Sequence, residues 1–336
     1  MYFCGRKLMH MKIGTIDLGE RPVFFAPMED VSDPSFRRLC KEFGADMMYT
    51  EFISSDGLIR DAEKSVRKLD IADYERPVGI QIYGKDPVAM VEAALRCEEA
   101  QPDLIDLNFG CPVKRVAGKG AGAGLLQNIP LMLEITAKVV KAVKLPVTVK
   151  TRLGWDENSL PIVNLAEQLQ DVGIAALTIH GRTRKQMYKG EADWTLIGAI
   201  KKNPRMTIPI IGNGDISSPE IALQRFNDYG VDAIMIGRAA IGKPWLFKEV
   251  KHYLQSGELL PPITVPEKVE LAKRHLGYSL EWKGGITGVF EMRQHFSNYF
   301  KGLPNFKETR IRLVTETNPD TLRSILDEIA VQWGNY

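Results

Sequence analysis

Cysteine is scarce: the 336-residue chain has four, Cys4, Cys40, Cys97 and Cys111. None forms a C-x-x-C pair, and no Cys/His cluster has zinc-ligand spacing, so neither a metal site nor a disulfide scaffold is expected. The low count fits a reducing cytoplasm. Long apolar runs are missing as well. The longest uncharged, fairly apolar stretch, Gly120 to Leu133, is Gly-rich and shorter than the ~20 residues of a membrane span. Met1 to Lys12 lacks the apolar centre of a signal peptide, and no membrane partner is expected. Met11 is an alternative start, because the regular pattern begins with Lys12-Ile13-Gly14. Nor is there an excess of one charge: Lys+Arg 44 against Asp+Glu 42 gives +2. Any polyanionic partner must therefore be met by a local patch.

What the chain has is core material. Hydrophobic residues make up 44% of it, which excludes disorder as its main state. Eight short apolar runs read as strands: Val23-Ala26, Met47-Thr50, Val78-Ile82, Leu104-Leu107, Val147-Lys150, Ala176-Ile179, Ile208-Ile211 and Ala233-Ile236. Most are continuous, as in a parallel sheet buried on both faces. Helical patterns alternate with them, several opened by a cap and a proline, as in Asp33-Pro34 and Asp86-Pro87. Eight βα units favour an α/β fold of the closed (β/α)8 TIM-barrel type. An open doubly wound sheet is the alternative, but no early G-x-G-x-x-G supports it. After Trp245 the pattern is helical to the end. The expected division is an N-terminal extension at 1–12, a barrel at 13–245, and a small all-α unit at 246–336 with a linker near 257–266.

Barrel active sites lie at the C-terminal ends of the strands, so polar residues there are informative. Those ends carry Ala26-Pro27-Met28-Glu29, Gln81, Asp106 to Pro112, Lys150-Thr151-Arg152, His180-Gly181-Arg182, Gly212-Asn213-Gly214-Asp215 and Gly237-Arg238. The last two follow strands 7 and 8, a recurrent phosphate site in this fold. There glycines allow close backbone approach and an arginine adds charge. Lys150, His180 and Gln81 would face the mouth, where a phosphorylated cofactor with a polar ring edge, such as a flavin, needs a cation or donors.

Cys40 and Cys97 lie in helical patterns and read as core. Cys111 differs, standing in a Gly-Cys-Pro turn just past strand 4. A thiol of ordinary pKa, about 8.5, is mostly protonated at neutral pH and can act as a general acid. The segment that follows, Val113 to Gly124, has three cations and four glycines and reads as mobile. Its partial G-x-G-x-x-A match does not directly follow a strand, as a dinucleotide site requires.

These motifs together resemble the FMN-dependent tRNA-dihydrouridine synthases, closest to the bacterial B-type. The matching residues are Ala26-Pro27-Met28 with Ser32-Asp33, Asn108-Phe109-Gly110-Cys111-Pro112, Lys150-Thr151-Arg152-Leu153-Gly154, His180-Gly181-Arg182-Thr183, Asn213-Gly214-Asp215-Ile216 and Gly237-Arg238-Ala239. Gly257-Glu258-Leu259-Leu260-Pro261-Pro262 extends the likeness into the linker. The resemblance implies an FMN-binding barrel, a helical tRNA-binding unit, NADPH as reductant and uridine in tRNA as substrate. It implies FMN on the backbone of Pro27, Met28 and Glu29, on Gln81 and Lys150 and near His180, with phosphate on Asn213, Gly214, Asp215, Gly237 and Arg238. Glu29-Asp30 stand where the family has small residues. Cys111 is then the expected general acid, with Asn108, Arg152 and Arg182 beside the substrate. A monomer is expected.

Two rivals are a small-molecule flavoprotein of the same fold, such as a dihydroorotate dehydrogenase relative, and an RNA-binding protein without turnover. Between Lys268 and Arg312, nine Lys or Arg stand against four acids. Such a patch suits a polyanion, and a small substrate does not require it. Phe296, Tyr299 and Phe300 at helical spacing read as core. The expected outcome of a binding titration is affinity for tRNA that falls steeply with added salt; no binding, or binding indifferent to salt, favours the small-molecule rival.

Overall fold

The computed structural model describes residues 10–336. Cys4 and residues 1–9 of the expected N-terminal extension lie outside them. A short antiparallel hairpin, β1 (Lys12–Ile13) and β2 (Ile16–Asp17), comes first. Nine further strands follow: β3 (Val23–Phe25), β4 (Met48–Tyr49), β5 (Ile53–Ser54), β6 (Val78–Tyr83), β7 (Leu104–Phe109), β8 (Val147–Arg152), β9 (Ala176–His180), β10 (Ile210–Asn213) and β11 (Ala233–Ile236). Their order is β3-β11-β10-β9-β8-β7-β6-β4, with β5 also on β6 and every pair parallel. A parallel bridge between Phe24 and Met47 closes the ring. This is the expected (β/α)8 barrel, followed by helices. The second barrel strand is split: β4 and β5 both pair with β6, and Thr50-Glu51-Phe52 lies between them.

The strands alternate more than the sequence reading supposed. In β7, Ile105, Leu107 and Phe109 join the core beneath the helices, while Leu104 belongs to the barrel's interior cluster. In β8, Val147 and Val149 face the same way as those outer residues, leaving Thr148, Lys150 and Arg152 for the interior. The lower interior is apolar, filled by Phe24, Met47, Tyr49, Leu104, Ile211 and Met235. Met11, Ile13 and Leu18 of the hairpin pack against it and plug the lower end. The upper interior is polar. Several strands also run one or two residues past the expected ends, to Phe109, Arg152, His180 and Asn213. Asn108, Arg152, His180 and Asn213 therefore stand on rigid strands rather than on loops.

Helix starts obey the caps in the sequence. Asp33, Asp86 and Ser218 accept the amides of Phe36, Ala89 and Ile221, each with proline at the start of the helix. The helix Leu246–Ser256 places Leu246, Phe247 and Val250 in the barrel's core, while Trp245, just before it, packs with the helices that follow. A second core, including Val269, Leu276, Phe296, Phe300 and Trp333, joins the helices Val265–Lys283, Gly285–Tyr299, Lys307–Thr315 and Pro319–Trp333. Phe296, Tyr299 and Phe300 are core, as are Cys40 and Cys97. Val113 to Gly124 is built rather than loose: it holds a helical turn, Lys114–Ala117, and Ala121, Ala123 and Gly124 are buried. No helix of the described residues is long and apolar enough to cross a membrane.

The two cores meet on the helix Pro34–Glu42. Phe36 lies 5.2 Å from the His275 ring and 4.4 Å from His295, and Arg38 stacks over Tyr278 at 3.9 Å. Arg37 and Glu75 form a fully buried ion pair, and Arg37 also donates to the carbonyls of Ser32 (2.9 Å) and Asp70 (3.1 Å). This ties the segment after β5 to the helix that carries the second core. Glu75→Gln leaves Arg37 buried without a counter-charge, at a cost of about 3–5 kcal/mol. A clear fall in the urea midpoint is expected; an unchanged midpoint refutes the tie.

Candidate active site

Because all the strands of the ring are parallel, their C-terminal ends share one face. A cavity of about 520 Å³ opens there, lined by residues from β7, β8, β9, β10 and β11, the loops after several of them and the segment after β3. It brings together Pro27, Met28, Asn108, Cys111, Lys150, Arg152, His180, Asn213, Gly214, Asp215, Gly237 and Arg238. Glu29, Gln81 and Arg182 do not line it.

Cys111 is 8% exposed and packs with Phe52, Val116 and Ala121. Burial pushes its thiol pKa up, against the lowering pull of the Val113 amide and the Arg152 charge. It is therefore protonated at neutral pH. Its turn is tied on three sides. Asn108 Oδ1 accepts the amides of Gly110 (3.0 Å) and Cys111 (2.9 Å). Arg152 Nε donates to the Gly110 carbonyl at 2.7 Å. The Cys111 carbonyl accepts the Ala123 amide at 3.1 Å. Arg152 Nη1 also donates to the carbonyls of Thr183 and Met187, and Nη2 has no acceptor among the described residues.

Lys150 is the unusual charge. It has one hydrogen-bond partner, Asn213 Oδ1 at 3.2 Å, and no carboxylate in ion-pair range among the described residues. Burial, then the Arg152 charge, lowers its pKa to about 8, against the pull of Asp106. His180 is held neutral, well below the usual histidine range, by burial and by the charges of Arg152, Lys150, Arg182 and Arg238. Arg182 Nη1 lies 3.4 Å from His180 Nε2 and can only donate, so the imidazole proton is assigned to Nδ1.

Arg182 is buried and spent: it donates to both oxygens of Asp215 (2.9 and 2.6 Å) and to the carbonyls of Lys189 and Gly190. That leaves it no evident donor for a substrate. Asp215 also meets Arg238 at 3.2 Å and accepts the Ala192 amide. Burial pushes the Asp215 pKa up, but the Arg182 bond, the Ala192 amide and the two arginine charges outweigh it and hold the carboxylate ionised. The amides of Asp215, Ile216, Arg238 and Ala239, all on the cavity wall, donate to no protein acceptor among the described residues. Two loops thus present unused N–H groups beside a guanidinium, a set suited to an anion. Gly214 has φ +131, and a Cβ there would meet Ala192 at 2.6 Å. Gly212 does not serve the ligand as expected. The Trp194 ring occupies the space of its missing side chain, where a Cβ would lie 1.9 Å away.

Gln81 is fully buried, its amide held between Asp106 and Asn108. The Glu29 carboxylate turns away to Lys68 (2.8 Å), in a cluster with Asp30 and Glu51. That cluster lines a second cavity of about 510 Å³, between the barrel loops and the helix Val265–Lys283, and Phe52 lines both cavities. Two aromatic cavity residues escaped the sequence reading. Phe52 lies in the break between β4 and β5, and Tyr188 sits with Arg152 and Arg238 at 5.6 and 4.6 Å from its ring. A lone aromatic in the basic loop Arg184-Lys185-Gln186-Met187-Tyr188-Lys189 was the available signal.

A family model described as "Dihydrouridine synthase (Dus)" matches residues 24–331. The tRNA-dihydrouridine synthase B of Pseudomonas aeruginosa is 42% identical over 300 residues, 89% of this chain and 90% of that protein. That of Shewanella oneidensis is 42% identical over 289 residues, 86% of this chain and 89% of that protein. Among solved structures, histamine dehydrogenase from Rhizobium sp. 4-9 superposes with a TM-score of 0.59 at 12% identity, over 98% of this chain and 65% of that one. A morphinone reductase in complex with tetrahydroNAD gives 0.52 at 13% identity, over 76% and 92%. At such identities these two structures speak for the fold alone.

The Lys150 charge makes a testable cost. A lysine whose folded pKa lies below its unfolded one destabilises the fold at pH values below the folded pKa, and the cost fades as pH rises through about 8 toward the unfolded value. Lys150→Met is expected to stabilise the ligand-free protein at pH 7 by roughly 1–3 kcal/mol, with the gain shrinking above pH 8. Denaturation curves at pH 7 and 9.5 check this; a loss of stability at pH 7 contradicts it.

Proposed function

The chain belongs to the dihydrouridine synthase family, and from that premise we propose that it reduces uridine in tRNA to 5,6-dihydrouridine at the barrel mouth. It is a flavin-dependent oxidoreductase. The observation that carries the assignment of roles is one cavity holding both a neutral thiol on a tethered turn and a half-buried ammonium with no carboxylate partner among the described residues.

The residues present fit FMN. The unused amides of Asp215, Ile216, Arg238 and Ala239, with the Arg238 guanidinium, suit its phosphate. Lys150 is the cation for the electron-rich edge of the ring, and neutral His180 offers an N–H. Pro27, Met28, Asn213, Gly214 and Gly237 complete the walls. Glu29 is left a backbone role, because its carboxylate is held by Lys68. When bound, FMN reduced by NADPH supplies the hydride that uridine C6 receives.

The protein's own groups do the rest. Uracil C5=C6 is conjugated to C4=O, so negative charge grows toward O4 as C6 is reduced. In this reading the second N–H of Asn108 Nδ2 and Nη2 of Arg152, both on cavity-lining residues, donate to it. Cys111 gives its proton to C5. The high thiol pKa keeps that proton available, and the Arg152 charge steadies the thiolate left behind. Arg182 acts at one remove, fixing Asp215 and the loop that carries Tyr188. The uridine must leave its stack to enter, at a cost of a few kcal/mol, least in a loop.

The helical unit faces the tRNA in this reading. Of its nine patch cations, Lys273, Arg274, Lys283 and Arg312 are already in ion pairs. Lys268, Arg293, Lys301, Lys307 and Arg310 have no carboxylate in range among the described residues and are the ones available to phosphates. The family match runs through this unit to residue 331, which a small-molecule oxidoreductase would not need. One chain supplies every residue named, so a monomer suffices, and the substrate places the protein in the cytoplasm.

Cys111→Ala is expected to retain FMN, keep its reduction by NADPH, and lose dihydrouridine formation by roughly 10²–10⁴-fold, the usual worth of a general acid. Nucleoside mass spectrometry of a treated tRNA transcript reads this. Turnover equal to wild type removes Cys111 from the mechanism.

A further inference from the structure

One buried carboxylate neither lines the cavity nor reaches solvent. Asp106, on β7, is 1% exposed and has no ion pair among the described residues. Its Oδ1 accepts the Thr148 hydroxyl and its Oδ2 accepts Gln81 Nε2, both at 2.5 Å. Gln81 Oε1 then accepts Asn108 Nδ2 at 2.7 Å, and Asn108 Oδ1 accepts the amides of Gly110 and Cys111.

Side-chain amides can flip, but these two cannot. The two backbone N–H groups at the upper end can only donate. The Asp106 oxygen facing Gln81 carries no proton of its own while the carboxylate is ionised, so the lower end can only accept. Each amide between them has one orientation, and such strings strengthen along their length. The Asn108 carbonyl is thereby committed to the turn, and the one polar group it has left for a ligand is an N–H.

We infer that Asp106 is a positioning residue: through Gln81 and Asn108 it holds the Gly110-Cys111 turn and the Asn108 N–H at the height where the pyrimidine is met. The inference rests on the reading of Cys111 as proton donor. A misplacement of about 1 Å can cost 10²-fold in rate, so the effect of cutting the string should be large.

The test uses the FMN-loaded protein and reads two steps separately by anaerobic stopped flow: flavin reduction by NADPH, and flavin reoxidation by a tRNA transcript. Asp106→Leu is expected to slow the tRNA-dependent step roughly 10–100-fold and leave the NADPH step within about two-fold. Asp106→Asn should recover most of the loss, because its carbonyl still accepts from Gln81 while Thr148 turns its hydroxyl to accept. Asp106→Ser, too short to reach Gln81, replaces the leucine variant if that one does not fold. In a Cys111→Ala background the same substitution should cost clearly less than it does in the wild-type protein, since the thiol it positions is gone and only the Asn108 N–H remains to be misplaced. An unchanged tRNA-dependent step overturns the inference. So does an equal fall in both steps, or a full additional loss on top of Cys111→Ala. If Cys111→Ala itself reoxidises at the wild-type rate, the failure belongs to the underlying reading of Cys111 instead.

Discussion

The site depends first on closure of a parallel ring. Eight strands that run the same way and meet at Phe24 and Met47 must end together, so whatever their last residues carry is gathered in one mouth. The period of two along each strand sorts the rest. Ile105, Leu107, Val147 and Val149 go outward to the helices, while Asp106, Asn108, Thr148, Lys150 and Arg152 are left to the interior. An apolar floor beneath them, plugged by the hairpin's Met11, Ile13 and Leu18, keeps water from entering from below.

Burial then sets the charges. It raises the Cys111 thiol, lowers Lys150 to about 8 and keeps His180 neutral, all by disfavouring the charged form. A protonated thiol and a cation with no ion-pair partner among the described residues result, the two groups that the proposed reaction calls for. Arg182 and Asp215 compensate each other, so their charges are spent on shape. They brace the loop that places Tyr188 between two guanidiniums.

Much of this was legible in the sequence for physical reasons. Apolar runs with capped, proline-started helices mark βα units, and Asp33, Asp86 and Ser218 cap where expected. Polar residues closing apolar runs mark the mouth, and twelve of the fifteen site residues expected from sequence line the one cavity. What was hidden depends on partners distant in the chain. Gly212 looks like a phosphate glycine but makes room for Trp194. Arg182 looks like a ligand-binding residue until Asp215 and the Lys189 and Gly190 carbonyls take up its donors. Glu29 belongs to Lys68, 39 positions away. Phe52 could not be placed because the break between β4 and β5 carries no glycine or proline to announce it.

The helical unit completes the account by docking Phe36 and Arg38 against its His275, His295 and Tyr278, beside the second cavity. The most direct measurement is a position-resolved map of dihydrouridine in tRNA from cells without this protein. The expected result is loss of the modification at one or a few positions and its return when the intact gene is restored. A map identical to that of unaltered cells would contradict the account.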